Sequence, residues 1–207
     1  MSKRLFVGIA AIALLVIALA AWGLTRQSDE SEAAPAYTMT RLDPEAIPDF
    51  SLPSSMGDNF TLSEQRGKIV ILYFGYTMCP DFCPTTMAKL AHVYEALGDQ
   101  ADAVKVVFVT GDLERDTLER VTRYMQGFDP RFIGVVPSSQ ADLDPLLEQF
   151  SAVVTRVETP NSALEYTIQH TTALFIINQS GQLVGRMGYS ATADEVVHDL
   201  RQLLNQS

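Results

Sequence analysis

Residues 69–74 read IVILYF, six consecutive apolar positions with no polar face. Such a run has neither the alternation of a half-exposed strand nor the spacing of a surface helix, so it is expected to be a central strand covered on both sides. A strand of that kind needs cover above and below its sheet, and the chain supplies candidates. Met87, Leu90, Ala91, Tyr94 and Leu97 recur at helical spacing, and 104–109 is a second buried strand. Asp116-Thr117-Leu118-Glu119 has the form of a helix capping box, with Leu118, Val121, Met125 and Phe128 as the apolar stripe behind it. A further helix is expected over 142–150. Segments 173–177 and 183–187 flank Asn178-Gln179-Ser180-Gly181-Gln182 and read as a hairpin, while Val196, Val197, Leu200, Leu203 and Leu204 mark a closing helix. A βαβ unit joined to a ββα unit is the layout of the thioredoxin fold, an α/β domain with a central mixed sheet flanked by helices.

Upstream of this domain the chain changes character. Residues 5–24 are 20 consecutive positions without a charge. As a helix they would span about 30 Å, the thickness of a bilayer's hydrocarbon core. Lys3 and Arg4 precede the run and Asp29, Glu30 and Glu32 follow it, so the positive-inside bias keeps the N-terminus in the cytoplasm and exports the rest. Trp22 stands where an interfacial aromatic is expected. A cleaved signal peptide competes through Ala18-Leu19-Ala20, but the apolar run is longer than the usual ~7–15 residues, which favours an uncleaved anchor over 1–26. The absence of a Ser/Arg-rich transit peptide favours a bacterium. The expected location is a single pass through the inner membrane with the soluble part in the periplasm. Residues 27–47, rich in Ser, Ala, Glu and Pro, read as a flexible linker to the domain over 48–207. The chain carries 15 basic and 25 acidic residues, and the first 26 hold three of the basic ones and no acid. The remainder is therefore 12 against 25, or −13, which excludes binding to nucleic acid through a basic face.

Only two cysteines occur, Cys79 and Cys83, in the segment FGYTMCPDFCP that follows the first buried strand. Pro84 suits the first position of a helix, which makes Cys83 roughly its N-cap and puts Cys79 in the loop before it. A thiol at that end of a helix feels the positive pole of the dipole, so its pKa falls. Two sulfurs this close either close a small disulfide or hold one soft metal ion. A purely structural disulfide is disfavoured, because so short a loop constrains little of the unfolded chain. Of the three histidines, His92 and His198 lie off the apolar faces of their helices and are expected in solvent. His170 directly precedes the strand expected over 171–177, at a loop that in thioredoxin-like folds lies against the active cysteines. Cys79, Cys83 and His170 would form an S,S,N set suited to Cu(I) or Cu(II), and zinc also accepts such donors. Met78, Met87 and Met187 are expected to pack rather than to ligate.

The segments FGYTMCPDFCPTTMAKL, GDLERDTLERVTRYMQGF and TIQHTTALFIIN, with Pro48, Phe50, Leu52, Gly57, Leu62 and Gly67-Lys68 ahead of them, resemble the Sco/SenC family over about residues 47–204. The resemblance implies a thioredoxin-like domain that binds copper through Cys79, Cys83 and His170. It also implies a role in assembling the dinuclear copper centre of cytochrome c oxidase, as copper donor, as reductant of its cysteines, or both. The partners would then be the copper-bearing oxidase subunit or its assembly factors, with the membrane held through the N-terminal helix. The chain departs from the family in having Gln169 where Asp commonly precedes the histidine, and Leu113 and Leu118 where prolines are common. Asp112, Glu114, Arg115 and Asp116 match; Asp116 is read first as a helix cap and the cluster second as a docking surface. A copper metallochaperone is the first functional reading and a thiol–disulfide oxidoreductase the second, so the enzymatic activity to expect, if there is one, is thiol–disulfide reduction rather than that of a classical enzyme. Peroxidase chemistry is disfavoured, since Tyr76 stands where a peroxidatic site carries threonine.

Overall fold

A computed structural model describes residues 37–160 and 162–206. The expected anchor over 1–26 and the first part of the linker lie outside these residues. Among the described residues no helix is long and apolar enough to cross a membrane. The elements in chain order are β1 (Thr40–Ala46), the hairpin β2 (Ser51–Pro53) and β3 (Asn59–Thr61), β4 (Ile69–Gly75), α1 (Phe82–Leu97), β5 (Val104–Thr110), α2 (Leu118–Gln126), β6 (Ile133–Val135), α3 (Gln140–Gln149), the hairpin β7 (Val154–Glu158) and β8 (Tyr166–His170), β9 (Leu174–Ile177), β10 (Gln182–Met187) and α4 (Ala193–Leu204).

One six-stranded sheet has the order β1-β10-β9-β4-β5-β6. β4 pairs in parallel with β5, and β5 with β6, whereas β9 runs antiparallel to β4 and β10 to β9. The β4–α1–β5 and β9–β10–α4 units are the two halves anticipated from the pattern. All seven residues of β4 are buried. Ile69, Ile71 and Tyr73 face the cluster built by Met87, Leu90, Val196 and Leu200. Val70, Leu72 and Phe74 face Leu143, Leu146 and Phe60 on the other side. The unbroken apolar run thus reflects a strand with a hydrophobic layer on each face, each side chain of this size contributing about 1.5–3 kcal/mol on burial.

Three expectations are corrected. The segment expected to be a flexible linker contains β1, which pairs antiparallel with β10. TRLDPEA alternates Arg41, Asp43 and Glu45 with Leu42, Pro44 and Ala46, but the period is short and holds a proline, and only Leu42 is partly buried, so backbone pairing rather than burial makes the strand. The buried Asp199 of α4 anchors its start, accepting from the N–H groups of Thr38 at 2.9 Å and Met39 at 2.7 Å. Secondly, the strand expected from residue 171 begins at Leu174, and His170 instead ends β8 in a separate two-stranded sheet. Thirdly, Asp116 does not cap α2. Thr117 does, accepting from the Arg120 N–H at 3.2 Å, and Leu118 is partly exposed while Val121 and Met125 carry the buried stripe.

The edges of the large sheet differ. β1 leaves one side unpaired, and its exposed residues include Arg41, Asp43, Pro44 and Glu45 or lie beside them. The β6 edge is covered by the chain between β2 and β3: Ser54 bridges Val135, Ser55 N–H donates to Gly134 C=O at 2.8 Å, and Val136 N–H donates to Pro53 C=O at 2.9 Å.

Candidate metal centre

β4 ends at Gly75, and the chain turns through 76–81 into α1. The helix begins at Phe82, with Asp81 at the N-cap position, so Cys83 is its second residue rather than its cap. Pro84 still falls in the first turn, where a missing N–H costs nothing. This shift decides which sulfur the helix serves. The Cys83 N–H donates to Cys79 Sγ at 3.5 Å, while Cys79 N–H closes a turn onto the Tyr76 carbonyl at 3.2 Å.

His170 arrives from β8. Its Nε2 lies 3.4 Å from Cys83 Sγ and 3.9 Å from Cys79 Sγ. The ligand-type atoms of Cys79, Cys83 and His170 all lie within 4.8 Å of one another, the one such cluster among the described residues. His170 Nδ1 is 3.2 Å from the Thr171 carbonyl, which can only accept, so Nδ1 carries a proton and Nε2 is the nitrogen turned to the sulfurs. The imidazole stands edge-on to Tyr73 and Tyr76, with ring centroids 5.8 Å away in both cases. Met78 is half-buried against the core and Met87 and Met187 are buried in it, as expected of packing residues. His92 and His198 are exposed on α1 and α4, beside Glu95 and Gln202 respectively.

The two sulfurs are unequal. Cys83 is fully buried, whereas Cys79 lines an open cleft of about 440 Å³ together with Tyr76, Pro80, Phe82, Ile168 and Gln169. The Cys83 thiol donates toward Cys79, and this, with His170 and the N–H groups of Asp81 and Cys83, holds the Cys79 pKa far below the ordinary thiol value. The same contact, with burial, pushes Cys83 up. At neutral pH the pair is therefore a Cys79 thiolate bonded to a Cys83 thiol. Alkylation by iodoacetamide tests this. An ordinary thiol slows about tenfold for each pH unit below its pKa of ~8.5. Because the Cys79 pKa is lowered, its reaction is expected to persist at pH 6, with Cys83 spared; peptide mass spectrometry showing equal labelling of both would contradict the assignment.

Backbone and loop supports fix this arrangement. A Cβ on Gly75 would lie 2.6 Å from Phe108 Cε2 and 2.8 Å from Cys83 Sγ, so only glycine lets the strand pass so near the sulfur. Asp116, 2 % exposed, accepts from the Thr77 N–H at 2.9 Å, the Thr77 hydroxyl at 2.5 Å and the Thr110 hydroxyl at 2.5 Å. It thereby pins the loop two residues before Cys79 to the end of β5. Sequence reasoning missed this role, although one signal was present: Asp116 and Thr117 are adjacent cap-type residues, and a helix uses one.

Known proteins are similar to this chain in sequence and fold. The SCO1/SenC family model matches residues 38–205. A mitochondrial SCO2 homologue of Mus musculus is 31% identical over 156 residues, covering 74% of this chain and 60% of its own length. The apo Sco1 protein from Thermus thermophilus superimposes with a TM-score of 0.73 at 34% identity, over 83% of this chain and 99% of that one. ScoI of Bradyrhizobium japonicum, solved with copper bound, gives 0.69 at 30% identity, over 77% of this chain and 99% of that one. With the match running through the whole described domain, cysteine pair and histidine included, the chain belongs to the SCO1/SenC family.

Proposed function

We propose that this protein is a copper metallochaperone, anchored in the inner membrane of a bacterium with its folded domain in the periplasm, that assists assembly of the dinuclear copper centre of cytochrome c oxidase. The observation that carries the reading is the convergence of two sulfurs and one imidazole nitrogen within 4.8 Å. Thiolate softness selects Cu(I), and imidazole helps to hold Cu(II). The copper-bound structure of the similar Bradyrhizobium japonicum ScoI supports the metal. The uncharged stretch over 5–24 after Lys3 and Arg4 supports the anchor and its orientation. Cys79, at the cleft, is the ligand that an incoming cysteine of the oxidase copper-bearing subunit or an assembly factor can reach first, so copper can pass by ligand exchange.

The expected stoichiometry is one Cu(I) per reduced chain. His170→Ala should weaken copper binding at least about tenfold, since even loss of a group behind a ligand costs about 10–100-fold. Cys79 and Cys83 should still form their disulfide in that variant. Anaerobic competition against a chromogenic chelator measures the first, and equal affinity in both proteins would remove His170 from the site. The Cu(II) form should show an intense visible sulfur-to-copper charge-transfer band.

The asymmetry of the sulfurs favours a second activity at the same place. The Cys79 thiolate attacks a partner disulfide and expels one partner thiolate. Cys83, on losing its proton, then attacks Cys79 Sγ, expels the second partner thiolate and leaves Cys79–Cys83 oxidised and the partner reduced. A chain that reduces an oxidase-derived disulfide peptide but lacks the charge-transfer band would make this the primary function.

A further inference from the structure

His170 owes its position to a short arm. Among the described residues β7 and β8 pair only with each other. Thr171 N–H donates to Val153 C=O at 2.9 Å and Thr159 N–H to Glu165 C=O at 2.7 Å, so odd-numbered residues of the β8 stretch make the ladder bonds. By the antiparallel alternation, the backbone groups of Tyr166, Ile168 and His170 point away from β7. Side chains from the β5–α2 loop meet that outer edge where a strand would. Arg115 Nη1 donates to the carbonyls of Tyr166 at 3.1 Å and Leu164 at 3.2 Å. Arg115 Nε donates to Asp112 Oδ2 at 2.5 Å, and the Tyr166 hydroxyl donates to Asp112 Oδ1 at 2.7 Å. The guanidinium carbons of Arg115 and Arg156 stand 3.6 and 3.7 Å from the Tyr166 ring centroid, which places them on opposite faces. Asp112 is 2 % exposed and the Arg115 side chain 17 %, so the contact is a part-buried, hydrogen-bonded ion pair. Asp116, which holds the cysteine loop, belongs to the same loop and donates its N–H to the Asp112 carbonyl at 2.9 Å.

We infer that Asp112 and Arg115 are positioning residues of the metal centre, holding the β7–β8 arm through Tyr166 so that His170 meets the two sulfurs. The inference rests on the three-ligand reading proposed above. One loop, 111–117, then sets the spacing between two independently supported halves of the site, the cysteines through Asp116 and the histidine through Asp112 and Arg115. Neither positioning residue touches the metal ligands. Cutting the Arg115 contact should release the arm and leave a two-sulfur site.

The test uses the full-length chain in detergent, with Arg115→Met made alone and in combination with His170→Ala. In the copper-free protein, amide exchange of the peptide spanning β8 should accelerate at least about tenfold in Arg115→Met, while the peptides of β4 and α1 keep wild-type rates. In chelator competition, Arg115→Met should weaken Cu(I) binding about 10–100-fold in the wild-type background and leave it unchanged in the His170→Ala background. Tyr166→Phe, which deletes the hydroxyl and keeps the ring, should show the same pattern at smaller size and guards against a folding defect in Arg115→Met. Unchanged β8 exchange, or an equal loss of affinity in both backgrounds, overturns the inference. If the wild type takes up no Cu(I), the exchange result alone decides it, and the failure belongs to the copper reading.

Discussion

Cys83→Ser is expected to lower Cu(I) affinity by about 10²–10³-fold. Structural sites with four protein ligands bind metal with roughly 10–16 kcal/mol, which assigns about 2.5–4 kcal/mol to each ligand. A serine hydroxyl is a hard donor and stays protonated at neutral pH, so it replaces neither the softness nor the charge of a thiolate. The substitution suits the site sterically. Gly75 passes so close to Cys83 Sγ that any larger group would collide, whereas oxygen is smaller than sulfur. Thermal unfolding should therefore change little, and chelator competition should report the loss. A variant that keeps wild-type affinity would place the metal elsewhere. Cys83→Ala, which unlike serine leaves no donor, should also raise the Cys79 pKa toward the ordinary thiol range, because the hydrogen bond from Cys83 is the largest cause of its depression.

Asp116→Ala is expected to be the most destabilising of the substitutions near the site. It removes one acceptor from three donors, of which the Thr77 N–H cannot turn elsewhere. A buried donor without a partner costs about 1–3 kcal/mol, and the two hydroxyls add to that, for a total of roughly 2–4 kcal/mol. For a domain of this size the midpoint should fall by about 5–15 °C. Circular dichroism melts of the metal-free protein measure it. An unchanged midpoint would mean that the carboxylate is dispensable. Because Thr77 lies two residues before Cys79, the weakened loop should also broaden the difference in alkylation between the native and variant proteins.

The central strands, the main helices and the β9–β10 hairpin were legible in the sequence because burial on two faces imposes a pattern on it. Cys79, Cys83 and His170 were legible as chemical types, and the fold brings them together. What the sequence concealed shares a physical cause. β1 is held by backbone pairing and by Asp199, neither of which imposes an apolar period. β7 and β8 are short, partly exposed and flanked by side-chain contacts over long sequence separations, such as Arg115 to Tyr166. Asp116 looked like a local cap, because one-dimensional patterns register neighbours along the chain and not Thr77 across the sheet. Gln169 remains the site's departure from the family resemblance. It is exposed beside His170 in the cleft, and so presents a neutral amide there in place of a carboxylate.

The two ends of the large sheet bear on how the domain behaves in company. An open mixed sheet offers its outermost strands as templates on which another chain can polymerise by strand addition. At β6 the template is already used, since the stretch 53–55 occupies its backbone groups. At β1 the backbone is available, but Pro44 interrupts its row of donors, and Asp43 and Glu45 would set like charges against those of a second copy. One end is blocked by occupancy and the other by an irregular, charged contour. These edges disfavour strand-to-strand association at both ends of the sheet, so the domain can be concentrated without polymerising through it.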